Sequence, residues 1–231
     1  MAMDEQECDD IMNICDKYGV KLMVGHVRHF YNCYNKIREI IQSNLLGELI
    51  MITNVRYVNY FSPRRPDWFF HERTGGGGIV MNLGAHSFDI IQYLTGSRVE
   101  AVSAKVGRFA DGIEVEGNSQ IFAVLESGIT ASISLSGYNS VFRHETELIF
   151  KKGMIKTTDD NGGTLFVSKN GIYEEIEVNK GDPFRYQMEC FVKSIIESLP
   201  SPVTGEYGQS IIRAIKAVYE SSKNGGAVIR L

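Results

Sequence analysis

The sequence predicts an α+β fold, a large, mostly antiparallel open sheet with flanking helices, preceded by a helix and strand left over from a parallel α/β unit. Three observations predict it. From Glu48 onward most of the chain alternates apolar and polar residues with a period of two between short turn signals. Apolar stripes at helical spacing frame that region. One continuous apolar run, Lys21-Leu22-Met23-Val24-Gly25, has the character of a strand buried on both faces, yet no further alternation of buried strands and amphipathic helices follows to supply parallel neighbours.

The elements follow in order. Asp4 and Glu7 form a capping-box-like pair ahead of Ile11, Ile14, Cys15 and Tyr18, and Gly19 stops that helix. A second helix is expected over 32–46, with Ile37, Ile40, Ile41 and Leu45 on one face and Gly47 as its stop. Strands are expected over 49–60, 99–106, 120–125, 129–135, 145–150, 154–157, 165–167 and 173–178. Ser127-Gly128, Lys152-Gly153 and Asn170-Gly171 stand where hairpin turns are needed. Helices near 184–199 and 209–222 close the chain, and 227–231 adds a last strand. With one face lacking helices, the sheet is expected to leave apolar surface for a second copy, giving a homodimer or tetramer.

Composition narrows the function. The 231 residues are 43% hydrophobic, enough for a sizeable core, and the net charge of -4 is spread without a basic stripe, which argues against nucleic acid as a partner. No apolar run approaches membrane-spanning length and the acidic start is not a secretory signal, so a cytoplasmic protein without a membrane partner is expected. Cys8, Cys15, Cys33 and Cys190 form no CxxC pair, which fits a reducing compartment and leaves no metal site to expect.

The stretch richest in chemistry begins with Thr74 and four consecutive glycines, Gly75 to Gly78, and runs through Asn82, Gly84, His86 and Asp89 to Gly96. On a helix, Asn82, His86, Asp89 and Tyr93 share a polar stripe, while Leu83, Ile90, Ile91 and Leu94 face a core. An imidazole with a carboxylate one turn away suits a general base near neutral pH. A surface His–Asp pair on an N-capped helix is the simpler reading of the same residues. The glycines lack the ending of a P-loop and the spacing of GxGxxG, so a flexible loop is simpler than a phosphate cradle.

The run Gly-Gly-Gly-x-x-x-Asn-x-Gly-x-His-x-x-Asp at positions 76–89 resembles the signature of the glucose-fructose oxidoreductase, inositol dehydrogenase and rhizopine catabolism (Gfo/Idh/MocA) family. So do the segment from Lys21 to Phe30, the junction Leu46-Gly47-Glu48-Leu49, the aromatic pair Trp68-Phe69 and the closing segments around Glu189-Cys190-Phe191 and Pro202 to Gly208. The resemblance spans essentially the whole chain. It implies that residues 1–28 are the remnant of a nucleotide-binding Rossmann domain and 29–231 a substrate-binding and oligomerisation domain. A Glu-Lys-Pro tripeptide bearing the family's catalytic lysine would fall just before Met1.

By that resemblance the complete enzyme moves hydride between a sugar or polyol, such as a cyclitol, and NAD or NADP. His86 is then the catalytic acid–base residue, with Asn82 beside it where many members carry aspartate; an amide can bond a substrate hydroxyl but cannot act as a charged base. Arg28, Trp68 and Asp89 are the expected substrate-binding residues, Arg28 also a weak candidate for the cofactor. Without the glycine fingerprint the isolated chain is expected to bind no cofactor and to be inactive. A non-catalytic sugar-binding or dimerisation module is the alternative. A metal-dependent hydrolase built on His26, His29 and His86 ranks last, because the spacing of His26 and His29 after a strand points them to different sides.

Overall fold

The structure is a computed structural model in which residues 1–138, 141–159 and 162–231 are described. Helix α1 (Glu5–Tyr18) starts where Asp4 accepts the Glu7 amide and ends at Gly19, whose left-handed backbone closes the last turn. Residues 21–25 run extended but pair with no strand; the Val24 amide reaches Val203 O instead. The expected strand is absent because the parallel neighbours it needs are not among the described residues. A 3-10 turn, Val27–Phe30, leads into α2 (Asn32–Gln42), which is shorter than the 32–46 expected: residues 43–46 form turns, and Asn44 has positive φ.

The described residues then build one nine-stranded sheet. In chain order its strands are β1 (Leu49–Tyr57), β2 (Val99–Gly107), β3 (Asn118–Leu125), β4 (Thr130–Ser136), β5 (Arg143–Phe150), β6 (Gly153–Thr158), β7 (Thr164–Ser168), β8 (Glu174–Ile176) and β9 (Ile229–Arg230). Their spatial order is β8-β7-β6-β5-β1-β4-β3-β2-β9. Strand β1 is the hinge of this topology, parallel to β4 on one side and antiparallel to β5 on the other. The remaining pairs are antiparallel, the tightest of their links being the two-residue hairpin between β5 and β6.

Between β1 and β2 the chain makes a short turn, α3 (Glu72–Gly75), a π-helical turn (Val80–Gly84) and α4 (Ala85–Thr95). Helices α5 (Pro183–Ile196) and α6 (Gly205–Lys223) follow the sheet. Helices α2, α4 and α6 cover one face, and their Ile37, Phe88, Ile91, Ile211 and Ile215 join Ile52, Ile121, Ile133 and Leu148 of the strands in one core. Two hydroxyls stitch α6 to β2: Ser221 and Ser222 accept the Ala104 and Val106 amides.

The other face is open, as expected, but not apolar. Phe122 and Met51 are exposed there, yet Gln120 bonds Ser134, Ser132 bonds Thr53 and Glu145 pairs with Arg143, a surface that water solvates. Among the described residues no helix is long and apolar enough to cross a membrane.

Candidate active site

The glycine run is neither a flexible loop nor a phosphate cradle. It is packed against a buried carboxylate that the sequence reading missed. Glu116, 1% exposed, sits just before β3 and accepts the Gly78 amide at 2.9 and 3.0 Å, the Val80 amide at 2.9 Å and the Tyr219 hydroxyl at 2.9 Å. A carboxylate here takes up helix-start N–H groups that would otherwise be buried unpaired. The contact leaves no room for side chains: a Cβ on Gly78 would come within 2.1 Å of Glu116 O, and one on Gly77 (φ 151°) within 2.0 Å of the Tyr219 hydroxyl. The glycines are therefore needed for close approach of protein to protein. Gly78 gives its amide to Glu116, and Gly75 and Gly76 give theirs to His71 O and Glu72 O, so the run does not fit a dinucleotide pyrophosphate.

The turn that follows is π-helical through Asn82, so the expected single helical stripe is interrupted before His86. Asn82 on this bend and His86 in the first turn of α4 remain partly exposed, while Asp89, one turn on, is fully buried. Asp89 does not bond His86. Its carboxylate takes His29 Nε2 at 2.7 Å and the Tyr207 hydroxyl at 3.0 Å, with His26 Nδ1 at 3.4 Å. Burial alone would raise Asp89, but the His29 bond and the nearby His26 hold it below its ordinary range. This corrects two expectations. Asp89 is a buried tie between the 27–30 turn, α4 and α6 rather than an exposed substrate ligand, and His26 and His29 converge instead of diverging. The 3-10 turn brings residues three apart onto one side. Among the described residues no group of side chains could hold a metal ion.

Arg28, on that same turn, points away from Asp89 to a second buried carboxylate, Asp159, just past β6. Its Nε and Nη2 lie 3.1 and 2.6 Å from Asp159 Oδ2. Arg56, 2% exposed on the inner face of β1, donates to the same oxygen at 3.3 Å, and the Tyr34 hydroxyl donates to Oδ1. His144 on β5 stands 3.2 Å from Arg56 through Nδ1. Burial would raise Asp159, but the two guanidiniums hold it well below the usual carboxylate range.

Those charges also act on His86. Burial, then the positive charges of Arg28 and Arg56, push it down to about 3, with Asp89 opposing only in part. His86 is thus neutral at physiological pH, and its Nδ1 is buried without a hydrogen-bond partner. A neutral imidazole with an amide side chain one turn before it can accept a hydrogen bond from a bound hydroxyl, while the burial and guanidiniums that keep it neutral oppose its taking the proton unless negative charge enters the site.

Sequence and structure agree less on Trp68. It is 49% exposed and stacks on Phe69 with ring centroids 3.8 Å apart; its carbonyl accepts the Thr74 hydroxyl. Those contacts anchor the loop before the glycines rather than joining His86. The neighbouring Arg65 is consumed by packing over Tyr60 and Phe69. Of the missed residues, only Arg56 left a sequence signal. It follows Ile52 and Asn54 at a spacing of two, on the face that the strand pattern assigns to the core. Glu116, Asp159 and His144 stand far from their partners in sequence and carry no local mark.

Comparison with known proteins adds a family. Residues 34–156 match the GFO/IDH/MocA C-terminal domain. A 1-carboxy-3-chloro-3,4-dihydroxycyclo hexa-1,5-diene dehydrogenase of Comamonas testosteroni is 29% identical over 139 residues, 60% of this chain and 34% of that enzyme. An inositol 2-dehydrogenase of Pseudarthrobacter chlorophenolicus is 23% identical over 215 residues, 90% of this chain and 61% of that enzyme. The chain thus spans between a third and two thirds of these relatives. In fold it is similar to an aldose-aldose oxidoreductase from Caulobacter crescentus complexed with glycerol, with a TM-score of 0.91 and 23% identity over 100% of this chain and 70% of that one.

Proposed function

From the premise that this chain belongs to the GFO/IDH/MocA family through its carboxy-terminal domain, we propose that it is the substrate-binding part of a cytoplasmic NAD(P)-dependent oxidoreductase acting on a sugar or polyol. The observation that carries the reading is His86, a neutral imidazole with an unpartnered Nδ1 in the first turn of α4, one turn after Asn82 on the π-helical bend and under the charge of Arg28 and Arg56. In this reading His86 takes the proton of the substrate hydroxyl, Asn82 orients that hydroxyl and Arg28 contacts the substrate. The nicotinamide supplies the hydride chemistry when it is bound.

The division of the chain into 1–28 and 29–231 is part of the proposal. Residues 1–28 belong to a nucleotide-binding domain in this reading. Supporting it are the unpaired extended segment at 21–25 and the exposed apolar side chains Ile14, Tyr18 and Val20 near it, with Phe184, Met188, Val192 and Ile196 along α5. A chain without GxGxxG, whose Gly75, Gly76 and Gly78 amides already have protein partners, binds nicotinamide cofactor weakly and turns over no substrate by itself. The open sheet face is where two copies meet, through a polar interface.

Titration of NADH, NADPH and a polyol panel tests this, with the fluorescence of the single Trp68 and melting temperature as readouts. This chain is compared with one joined to a nucleotide-binding domain ahead of residue 1. Cofactor binding and polyol oxidation confined to the joined protein are the expected result. Polyol binding by both, with no cofactor binding and no oxidation by either, would replace the reading with a sugar-binding module.

A further inference from the structure

The ion cluster beneath His86 holds more positive charge than its carboxylate can balance. Arg28 and Arg56 both donate to a single oxygen of Asp159. Tyr34, raised well above its ordinary range mainly by burial, is an uncharged donor to the other oxygen. His144 offers no compensation: burial and then Arg56 push it down to about 4, leaving it neutral. Asp89, the other buried acid in His86's surroundings, is engaged by His29, His26 and Tyr207. Around Asp159 itself two guanidiniums face one carboxylate, a local surplus of one positive charge, since Asp89 bonds His29 and Tyr207 and touches neither guanidinium.

Unmet hydrogen-bonding capacity accompanies the surplus. Arg56 Nε, His144 Nε2 and His86 Nδ1 are each buried without a partner. A buried guanidinium N–H left unpaired is costly, more so than a neutral group, and native proteins rarely leave one without a use. The cluster is not sealed: the side chains of Arg28, His144 and Asp159 keep 14%, 11% and 10% of their surface in solvent.

Resting on the oxidoreductase reading above, we propose that the substrate of this site carries a carboxylate, received by Arg56 and His144 beside the Arg28–Asp159 pair. A planar carboxylate matches a guanidinium edge and supplies one negative charge, the amount the cluster lacks. It would also offset the guanidinium charge that, after burial, holds His86 down, so that a proton accepted there is better held when the acid is bound. A sugar or cyclitol acid, rather than a neutral polyol, is then the ligand class.

The test is calorimetric titration of the unaltered chain at low ionic strength with three matched ligands: glucuronate, its methyl ester and glucose. Glucuronate is expected to bind at least about tenfold more tightly than either neutral ligand, the size of one charge-assisted hydrogen bond, and the margin should shrink with added salt. Arg56→Gln should abolish the margin; because that side chain is buried, His144→Phe, which leaves the ion pair intact, serves as the second variant and should reduce it. Equal affinity for acid and ester, an acid preference untouched by both variants, or no saturable binding of glucuronate would overturn the assignment. Glucose 6-phosphate binding more tightly than glucuronate would overturn the carboxylate choice. The outcomes separate from the activity: neutral polyols oxidised while acids are ignored would sink this inference alone, whereas acids bound without any hydride transfer in the joined protein would sink the oxidoreductase reading alone.

Discussion

At the scale of single residues, the site is governed by which buried charges have partners. Asp159 is the counterion for two guanidiniums, one of them almost wholly buried, so Asp159→Asn leaves uncompensated charge in the interior. Breaking such a pair from one side costs on the order of 3 to 5 kcal/mol, which chemical denaturation would register as a lowered midpoint at unchanged slope. A loss below about 1 kcal/mol would mean that water already neutralises the cluster. Glu116→Gln is milder: the amide keeps one acceptor but turns donors toward backbone N–H groups, for a loss of about 2 kcal/mol.

The imidazoles give the protein a defined acid limb. His86 and His144 titrate at about 3 and about 4 in the folded chain, below the ordinary histidine value of 6.5 that the unfolded chain keeps. Between those values the unfolded state binds more protons, so stability is full above the unfolded value and falls as pH drops below it. Asp159, also lowered on folding, adds a further loss below the ordinary carboxylate range. The melting temperature should therefore fall steadily from pH 7 to pH 5, by an amount corresponding to roughly 2 kcal/mol for His86 and less for His144, whose charge solvent partly screens. His86→Asn should flatten that limb. An unchanged profile in the variant would show that His86 is not held neutral by the fold.

At the scale of elements, the glycine segment and the π-helical turn place the chemistry. Gly78→Ala should destabilise the protein by more than about 2 kcal/mol, since the Cβ must displace backbone at Glu116 and break the amide contacts; a circular dichroism melt within a degree of the parent would contradict the packing described. Here the sequence was most and least legible. Strand alternation located the ladder strands from β1 to β9 to within a few residues, because each lies in a sheet whose inner face is apolar. The run at 21–25 read equally well as a strand, yet forms none, because ladder formation depends on neighbours as well as pattern. His86 and Asn82 were legible as a motif and Arg28 from its place after that run. The partners that tune them were not: Asp159 lies 131 residues from Arg28, and no local pattern encodes such a pairing. The anchor of the π turn was hidden for the same reason, since Glu116, which takes the Val80 amide, enters from just before β3.

At the scale of the whole molecule, a one-sided sheet with helices α2, α4 and α6 behind it positions His86 at the end of the covered face nearest the 27–30 turn. The open face, polar rather than apolar, implies weak association: sedimentation equilibrium should show dimers that dissociate on dilution, and Phe122→Glu should shift the chain to monomer. A monomer at every concentration would leave that face without a partner of its own kind.

The central claim is that His86 handles the substrate proton. It is tested most directly by steady-state oxidation in the protein that joins this chain to a nucleotide-binding domain, comparing the parent with His86→Asn. The account predicts a fall in kcat of about a hundredfold or more with substrate affinity largely kept, as removal of a general base requires. A variant that turns over at the parent rate would contradict it.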